Sequence, residues 1–539
     1  MPETRIHESD VVIAGGGLAG LATAIELLDL GRKVLLIDRS TEDRLGGLAR
    51  ESFGGICMAG TPEQRKLGIK DTPELAMSDW KSFAGFSKDD HWPLEWAKFY
   101  TRNSVELVYN WLRERKVTFL PMVAWPERGL FVPGNSVPRW HITWGTGQGL
   151  ILAILAHLER HPRRENLKML FRHNVQGIEA SAGRYTACHG IDETDGTAFR
   201  ASGSALVIAS GGICGGNLDL VRKHWNSDFG DVPPVILNGS HEYADGALHH
   251  AVEASGGNLT HLDRQWHYAA GIHHPRPSRH MHGLSLIPPK SALWVNARGE
   301  RIGPVPLVTA YDTRYLVERI SMQPGGYSWQ VLNYKIAKKE LAVSGSEYMT
   351  DFRDKKKFSM IKNLLLGNDA LVKRLLDECR DFVSADNLPD LVKKMNRLNG
   401  DEAVNLNTLK NGLQAYDDQI GRGSSYMNDD QLRRIAHLRQ YRGDRMRTCN
   451  FQKILDPDAG PLIAIREFIL SRKSLGGIQT DLKCRVLNRS GGIMPGLYAT
   501  GEAAGFGGGG IHGKRSLEGT FLGSCILTGR VAGKSIFYE

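Results

Sequence analysis

Between Asp10 and Gly20 the chain reads Asp-Val-Val-Ile-Ala-Gly-Gly-Gly-Leu-Ala-Gly, an apolar run closed by glycines at positions 15, 17 and 20. Gly15 and Gly17 let backbone turn tightly against a diphosphate, and Gly20 lets a following helix pack on its strand. The helix N-terminus adds unpaired N–H groups for the anion. An apolar helical run reaches Gly31, a second strand runs from Lys33 to Ile37, and Asp38 stands where a carboxylate takes ribose hydroxyls. The chemistry this pattern supports is dinucleotide binding. Among the other reactive residues, Tyr311 and Tyr315 flank Asp312-Thr313-Arg314. A tyrosine serves as a donor that polarises a carbonyl or as a carrier of its proton. An arginine acting as acid or base needs a carboxylate relay, because guanidinium hardly deprotonates, and Asp312 and Glu318 are the neighbours that supply one. Nine of the nineteen histidines fall between His241 and His282. Their spacing matches no zinc-ligand pattern, and no metal is expected.

The elements that would position these residues follow from the apolar periodicity. Two glycine pairs, Gly46-Gly47 and Gly54-Gly55, enclose Ala49 and Ser52 and suggest backbone passing close to a ligand again. Helices carrying Trp80, Trp92, Trp96 and Trp111 come next, with the tryptophans expected as packing residues. Arg139 to Gly149 leads into an apolar helix from Leu150 to Leu158 and a short strand around Leu170 to Ile178. Ala205 to Ile208 is fully apolar and runs into Ala209-Ser210-Gly211-Gly212, the pattern of a buried parallel strand that delivers backbone to a site at its carboxyl end. Asp245-Gly246 opens a further helix. From about residue 270 to 455 helical, lysine- and aspartate-rich sequence replaces this style, which returns at Ser471 to Ile478. Gly496 to Glu502 reads as one more buried strand. The expected fold is α/β, a Rossmann-like dinucleotide domain of residues 1–270 and 456–539 with an inserted α+β domain of residues 271–455.

The chain has 539 residues, 41% apolar and 24% charged, enough for two or three globular domains. Its start lacks the apolar core of a signal peptide and no apolar run spans a membrane, so the expected location is cytoplasmic with no transmembrane segment. Seven scattered cysteines without a Cys-x-x-Cys pair argue against a disulfide framework, an iron–sulfur cluster or structural zinc. Part of the net charge of +9 lies between Arg353 and Arg374. With acids interspersed and no aromatic ladder, that stretch is expected to be a solvated helical face, and no nucleic acid is expected as a partner.

Seven motifs in order carry a resemblance: Gly15 to Gly20 with Asp38; Gly46-Gly47 with Ser52 and Gly54-Gly55; Arg139 to Gly149; Ala209 to Gly212 with Asn217; Asp245-Gly246; Val295 to Arg301; and Gly496 to Glu502. The chain resembles, over nearly its whole length, the fumarate reductase and succinate dehydrogenase flavoprotein superfamily, which includes the ketosteroid dehydrogenases. Its endings Gly501 to Gly510 and Leu517 to Gly523 are most similar to those of bacterial FAD-binding dehydrogenases. The resemblance implies a glutathione-reductase-like FAD-binding domain with a capping domain. It places Gly15, Gly17, Leu18 and Ala19 at the FAD pyrophosphate, Asp38 and Arg39 at the adenosine, and Val175, Ala209, Ser210 and Gly211 along the adenine side. Gly46, Gly47, Ala49, Ser52, Gly54 and Gly55 would lie beside the flavin and ribityl chain, with Asp245, Gly501 and Glu502 completing that wall and Glu502 taking ribityl hydroxyls. Ser516, Leu517 and Thr520, at the start of a helix near Leu517, would face the flavin pyrimidine edge, where a helix N-terminus stabilises negative charge.

Succinate dehydrogenases attach flavin through a histidine in the second glycine motif. No histidine occurs between residues 40 and 60, so noncovalent FAD is expected. Fumarate reductases clamp a dicarboxylate with His-Gly-x-x-Arg, and here His512 matches while Ser516 holds the arginine position. Arg301-Ile302-Gly303-Pro304 likewise departs from the family's Arg-Phe-x-x-Glu. Arg314 falls near the reductases' proton-donor arginine, and His267 matches a Gln-x-His at the cleft. The implied catalytic candidates are therefore Arg314, His512 and His267, beside Tyr311 and Tyr315 from their chemistry. The implied function is an FAD-dependent oxidoreductase acting on a C–C bond next to a carbonyl in a hydrophobic, for instance steroid-like, substrate held between the FAD domain and cap. A fumarate-type reductase of an unsaturated acid and a flavin-binding protein without such activity are the alternatives. The expected partners are a small-molecule substrate and an electron acceptor, with the chain a monomer or homodimer.

Overall fold

The strand of the glycine turn, Val11–Ala14, is buried throughout, as an unbroken apolar run in a parallel sheet requires. The computed structural model describes residues 4–181 and 183–537 and places this strand inside a six-stranded sheet. The order is Arg485–Leu487, Ile493–Ala499, Ala205–Ile208, Val11–Ala14, Val34–Ile37, Leu167–Leu170. The last five run parallel and only Arg485–Leu487 is antiparallel. Ligands of such sheets bind beyond the carboxyl ends of the strands, and both the first glycine turn and Ala209 to Gly212 emerge there. Residues 1–3, 538 and 539, at the two ends of the expected FAD-binding domain, lie outside the described residues.

By contacts the chain forms two units, Met1–His224 with Ser240–Trp266 and Lys473–Glu539, and Trp225–Gly239 with His267–Arg472. In the first, helix Leu18–Asp29 is buried along nearly its whole length between the sheet and the C-terminal helix Thr520–Phe537. A Cβ at Gly20 would lie 2.0 Å from the Gly15 carbonyl oxygen, so the close seat of this helix on its own turn admits no side chain. Thr23 Oγ1 ties the two helices by donating to Gly529 O at 3.0 Å. The stretch expected as one strand around residues 170–178 is two, Leu167–Leu170 and His173–Ser181, because Arg172 turns the chain with φ +56°. The strand expected from Gly496 to Glu502 spans Ile493–Ala499 and stops where Gly501 takes φ +61°. Trp80, Trp96 and Trp111 are buried in the core.

The second unit is built on the thirteen-residue strand Leu462–Ser474, of which Leu462 to Arg472 belong to it. Its sheet runs in the order Leu293–Val295, Tyr327–Asn333, Leu462–Ser474, Gln265–His273, Gly283–Ile287, Ala342–Val343, and strands Ile236–Asn238 and Phe382–Ala385 also pair with the long strand. This pairing explains why residues 225–239 group with the second unit although they precede it in sequence. Helices between Thr313 and Met446, among them Thr313–Ser321 and Lys357–Leu366, complete the α+β arrangement. Among the described residues no helix is long and apolar enough to cross a membrane.

Candidate functional site

In the first unit the glycine motifs converge from four separate parts of the chain. Gly46 N donates to Gly16 O at 3.1 Å, and Gly17 and Gly46 form a parallel bridge. Ala209 N donates to Ala14 O at 2.8 Å, which sets Ser210 and Gly211 beside the first turn, and a Cβ at Gly501 would touch that of Ala19 at 2.8 Å. Gly17 differs from its neighbours in one respect. A Cβ there would meet nothing within 4 Å, so the helix N-terminus starting at Leu18 faces open space of the kind a pyrophosphate needs.

The residues expected at the adenosine are largely charged. Asp38 Oδ2 accepts from Gly16 N at 2.5 Å and Oδ1 from Ser40 N at 2.7 Å, which pins the carboxylate at the turn. Arg39 pairs with Glu193 at 2.8 Å and with Asp245 at 3.0 Å, and its guanidinium lies 4.5 Å over the Tyr243 ring. Val175 is buried in the strand His173–Ser181.

The second glycine motif is held by contacts to its main chain. Gly47 caps the short helix Leu48–Glu51, Ser52 Oγ donates to Ala49 O at 2.7 Å, and Thr143 Oγ1 donates to Gly54 O at 2.9 Å. The indole of Trp140 covers Gly55 and Gly519, where added Cβ atoms would lie 1.9 Å and 2.2 Å from it. Arg139, fully buried, fixes this strand through a bidentate pair with Asp71 at 2.9 and 2.8 Å and a third bond to Asp79 at 2.6 Å. Glu502 Oε1 accepts from Ser474 N at 2.8 Å, while Ser474 Oγ takes Ile213 N at 2.7 Å. Sequence reasoning missed Trp140 and Ser474 as parts of this wall. Trp140 lies inside the Arg139 to Gly149 motif, and the return of glycine-rich sequence at residue 471 was the signal for Ser474.

His512 is fully buried and stacks on Trp80 at 5.6 Å with an interplanar angle of 8°. Its Nδ1 lies 3.3 Å from Thr520 Oγ1, and its Nε2 has no hydrogen-bond partner among the described residues. Burial, reinforced by the positive charge of Lys473, pushes its pKa well below that of an ordinary histidine, so the ring is neutral. Ser516 Oγ lies 3.0 Å from Thr520 Oγ1, and Thr520 Oγ1 donates to Leu517 O at 2.7 Å. These bonds form a turn at Leu517, and the helix itself starts at Thr520.

In the second unit Arg314 and His267 come together. Arg314 opens helix Thr313–Ser321, pairs with Asp228 at 2.5 Å and lies 4.6 Å over the Phe229 ring. His267 stacks on Trp225 at 5.0 Å and meets Phe229 edge-on at 6.1 Å. Burial and the nearby Arg314 charge push its pKa down to about 3, and its Nδ1 is buried without a hydrogen-bond partner among the described residues. The carboxylate on Arg314 is thus Asp228, whereas Asp312 Oδ1 caps the helix by accepting from Tyr315 N at 3.1 Å. Nothing near Asp228 in sequence marks it, because 86 residues separate it from its partner. The two tyrosines turn elsewhere. Tyr311 OH donates to Arg434 O at 3.1 Å and lies 3.0 Å from His437 Nδ1, and Tyr315 OH donates to Val305 O at 3.4 Å. The histidine-rich stretch is dispersed: His273 bonds Asp381, His274 bonds Glu347 and stacks on His282, and His261 pairs with Asp90. Among the described residues no group of three or more His, Cys, Asp or Glu forms a metal cluster.

The sequence profile of the family described as FAD binding domain matches residues 10–522. A protein of Mycobacterium tuberculosis (strain CDC 1551 / Oshkosh) named KsdD-like steroid dehydrogenase is 40% identical over 545 residues, covering 98% of this chain and 95% of its own. One of the same name from Mycolicibacterium smegmatis is 41% identical over 535 residues, covering 96% of each. Among solved structures, 3-ketosteroid delta1-dehydrogenase from Sterolibacterium denitrificans is similar with a TM-score of 0.71 at 16% identity, covering 99% of this chain and 100% of its own. A flavocytochrome c3 fumarate reductase reaches 0.69 at 18%, covering 99% and 78%. These two likenesses are of fold.

Proposed function

We propose, for a chain that belongs to the FAD binding domain family, that it is an FAD-dependent dehydrogenase acting on the C–C bond next to a ketone in a hydrophobic, steroid-like substrate. The observation that carries this reading is end-to-end similarity to proteins named steroid dehydrogenases, laid over the open, glycine-walled turn at Gly17.

The first unit suits noncovalent FAD. Gly15, Gly17, Leu18 and Ala19 would meet the pyrophosphate, Asp38 and the Arg39–Asp245 pair the adenosine, and Val175 with Ala209 to Gly211 the adenine side. Gly46 to Gly55 and Glu502 would line the ribityl and flavin part, with Ser516, Leu517 and Thr520 at its far edge. Bound FAD supplies the hydride chemistry. The chain must then polarise a carbonyl and move one proton. Arg314, oriented by Asp228, offers fixed donors to an oxygen, and His267 and His512 are neutral rings able to donate or accept one hydrogen bond. Tyr311 and Tyr315 complete the proposed set, each after giving up its present partners. Ser516, bonded within its own turn, supplies no guanidinium for a dicarboxylate clamp. All seven cysteines are free, which suits a reducing cytoplasm. We take the substrate to be a small molecule and the protein to be a monomer or homodimer that passes electrons to a separate acceptor.

The test is anaerobic titration of the purified flavoprotein with a 3-ketosteroid, followed by turnover with a dye acceptor. Bleaching of the flavin band and catalytic dye reduction are expected. Fumarate reduction by reduced viologen without ketosteroid turnover would overturn the reading in favour of a reductase. Reoxidation of photoreduced protein by oxygen alone would overturn it in favour of a flavin-binding protein.

A further inference from the structure

Helix Lys357–Leu366 of the second unit inverts the usual placement of apolar side chains. None of its ten residues is buried, and Phe358, Ile361, Leu365 and Leu366 are 90%, 40%, 65% and 64% exposed. Phe358, Ile361 and Leu365, three and four residues apart, share one face of the helix, and Leu366 adjoins Leu365 at its edge. Single exposed apolar residues are ordinary, but four on three turns of one helix form a patch that water disfavours. Cations stand at its N-terminal end and within it. Lys355, Lys356, Lys357 and Lys362 are all exposed. The local acids are engaged: Asp354 pairs with Arg353 at 2.7 Å and Lys356 at 3.5 Å, and Asp351 accepts from Ser359 and Asn363. The lysines are solvated, as their sequence implies, but so is the apolar face beside them.

We propose that this helix docks the protein reversibly on an anionic lipid bilayer. Phe358, Ile361, Leu365 and Leu366 enter the boundary between headgroups and acyl chains, and the lysines reach lipid phosphates, Lys362 by extending its stem out of the same face. The argument for this occupant is charge complementarity: positive charge at one end of an apolar patch and within it favours a surface that is apolar below and negative above. The net charge of +9 adds attraction at longer range. The proposal is independent of the reaction proposed above.

The test is co-sedimentation of the full-length flavoprotein with vesicles of phosphatidylcholine alone and of phosphatidylcholine mixed with phosphatidylglycerol. Binding to the mixed vesicles only is expected, weakening as salt rises. Two variants, Phe358→Ser with Leu365→Ser and Leu366→Ser, and Lys355→Gln with Lys357→Gln and Lys362→Gln, should each lower partitioning at least about tenfold. Both should retain the flavin spectrum and the melting temperature, because the substituted side chains stand in solvent. Absence of vesicle binding by the wild type, or binding by both variants as strong as that of the wild type, overturns the proposal. Self-association of the wild type that the serine variant abolishes, without vesicle binding, overturns it in favour of a second copy of this chain.

Discussion

Asp228 and Arg314 form an ion pair at 2.5 Å in which the arginine is buried and the carboxylate half exposed. Phe229 underlies the guanidinium, so its planar fork is held on one side by charge and on the other by an aromatic ring. Asp228→Asn should keep the FAD spectrum and lower kcat for a 3-ketosteroid by about 10- to 100-fold, with a smaller change in KM, since the donor is misplaced rather than removed. Steady-state dye reduction checks this, and an unchanged kcat would take Arg314 out of the reaction.

Gly17 and Gly20 should separate binding from folding. An alanine at Gly17 meets no protein atom within 4 Å, so Gly17→Ala should fold normally and lose FAD affinity at least about tenfold by intruding on the diphosphate. Gly20→Ala places its Cβ 2.0 Å from Gly15 O and should destabilise the fold by about 1–3 kcal/mol or more. Flavin fluorescence titration and thermal melts of the two variants distinguish the effects.

Acid should unfold the protein steeply. Burial pushes His141 and His249 down to about 4, His267 to about 3 and His512 lower than an ordinary histidine. Unfolded imidazoles take up protons near the ordinary histidine value of 6.5, whereas these four stay neutral when folded. The unfolded state therefore binds more protons below pH 6.5, and stability falls as pH drops from there toward 4. Each ring contributes up to about 1.4 kcal/mol per pH unit in that window. Melting temperature against pH measures the slope, which His249→Gln should reduce by one ring's share.

Glu467 acts in the opposite direction. It is fully buried, burial alone pushes its carboxyl well above the usual range, and neither oxygen has a hydrogen-bond partner among the described residues. Ser328, its cross-strand neighbour, and Gln330 on the same face have equally unpartnered side chains. The folded state keeps a proton that the unfolded chain releases above pH 4.5, so this residue costs stability as pH rises. Glu467→Gln should melt with the wild type near pH 5 and above it near pH 9. A variant that melts lower at both would show that the carboxyl has a partner the geometry does not reveal.

The FAD-binding architecture was legible in the sequence because its signals are local. A continuous apolar run must be a buried parallel strand, glycines at fixed spacing must bring backbone to backbone, and Asp38 follows its strand directly. Strand ends were less legible, since Arg172 and Gly501 break strands through a backbone conformation that composition does not announce.

By itself, the sequence determined the order of the cofactor motifs and the kind of chemistry they serve, since each works through a few consecutive backbone groups. Only the tertiary structure decided which carboxylate meets Arg314, which ring faces His267, which indole covers Gly55 and which apolar side chains of the lysine-rich helix stand in water. These depend on contacts between segments far apart in the chain, and on the surface left over once the core is filled, neither of which periodicity or spacing encodes.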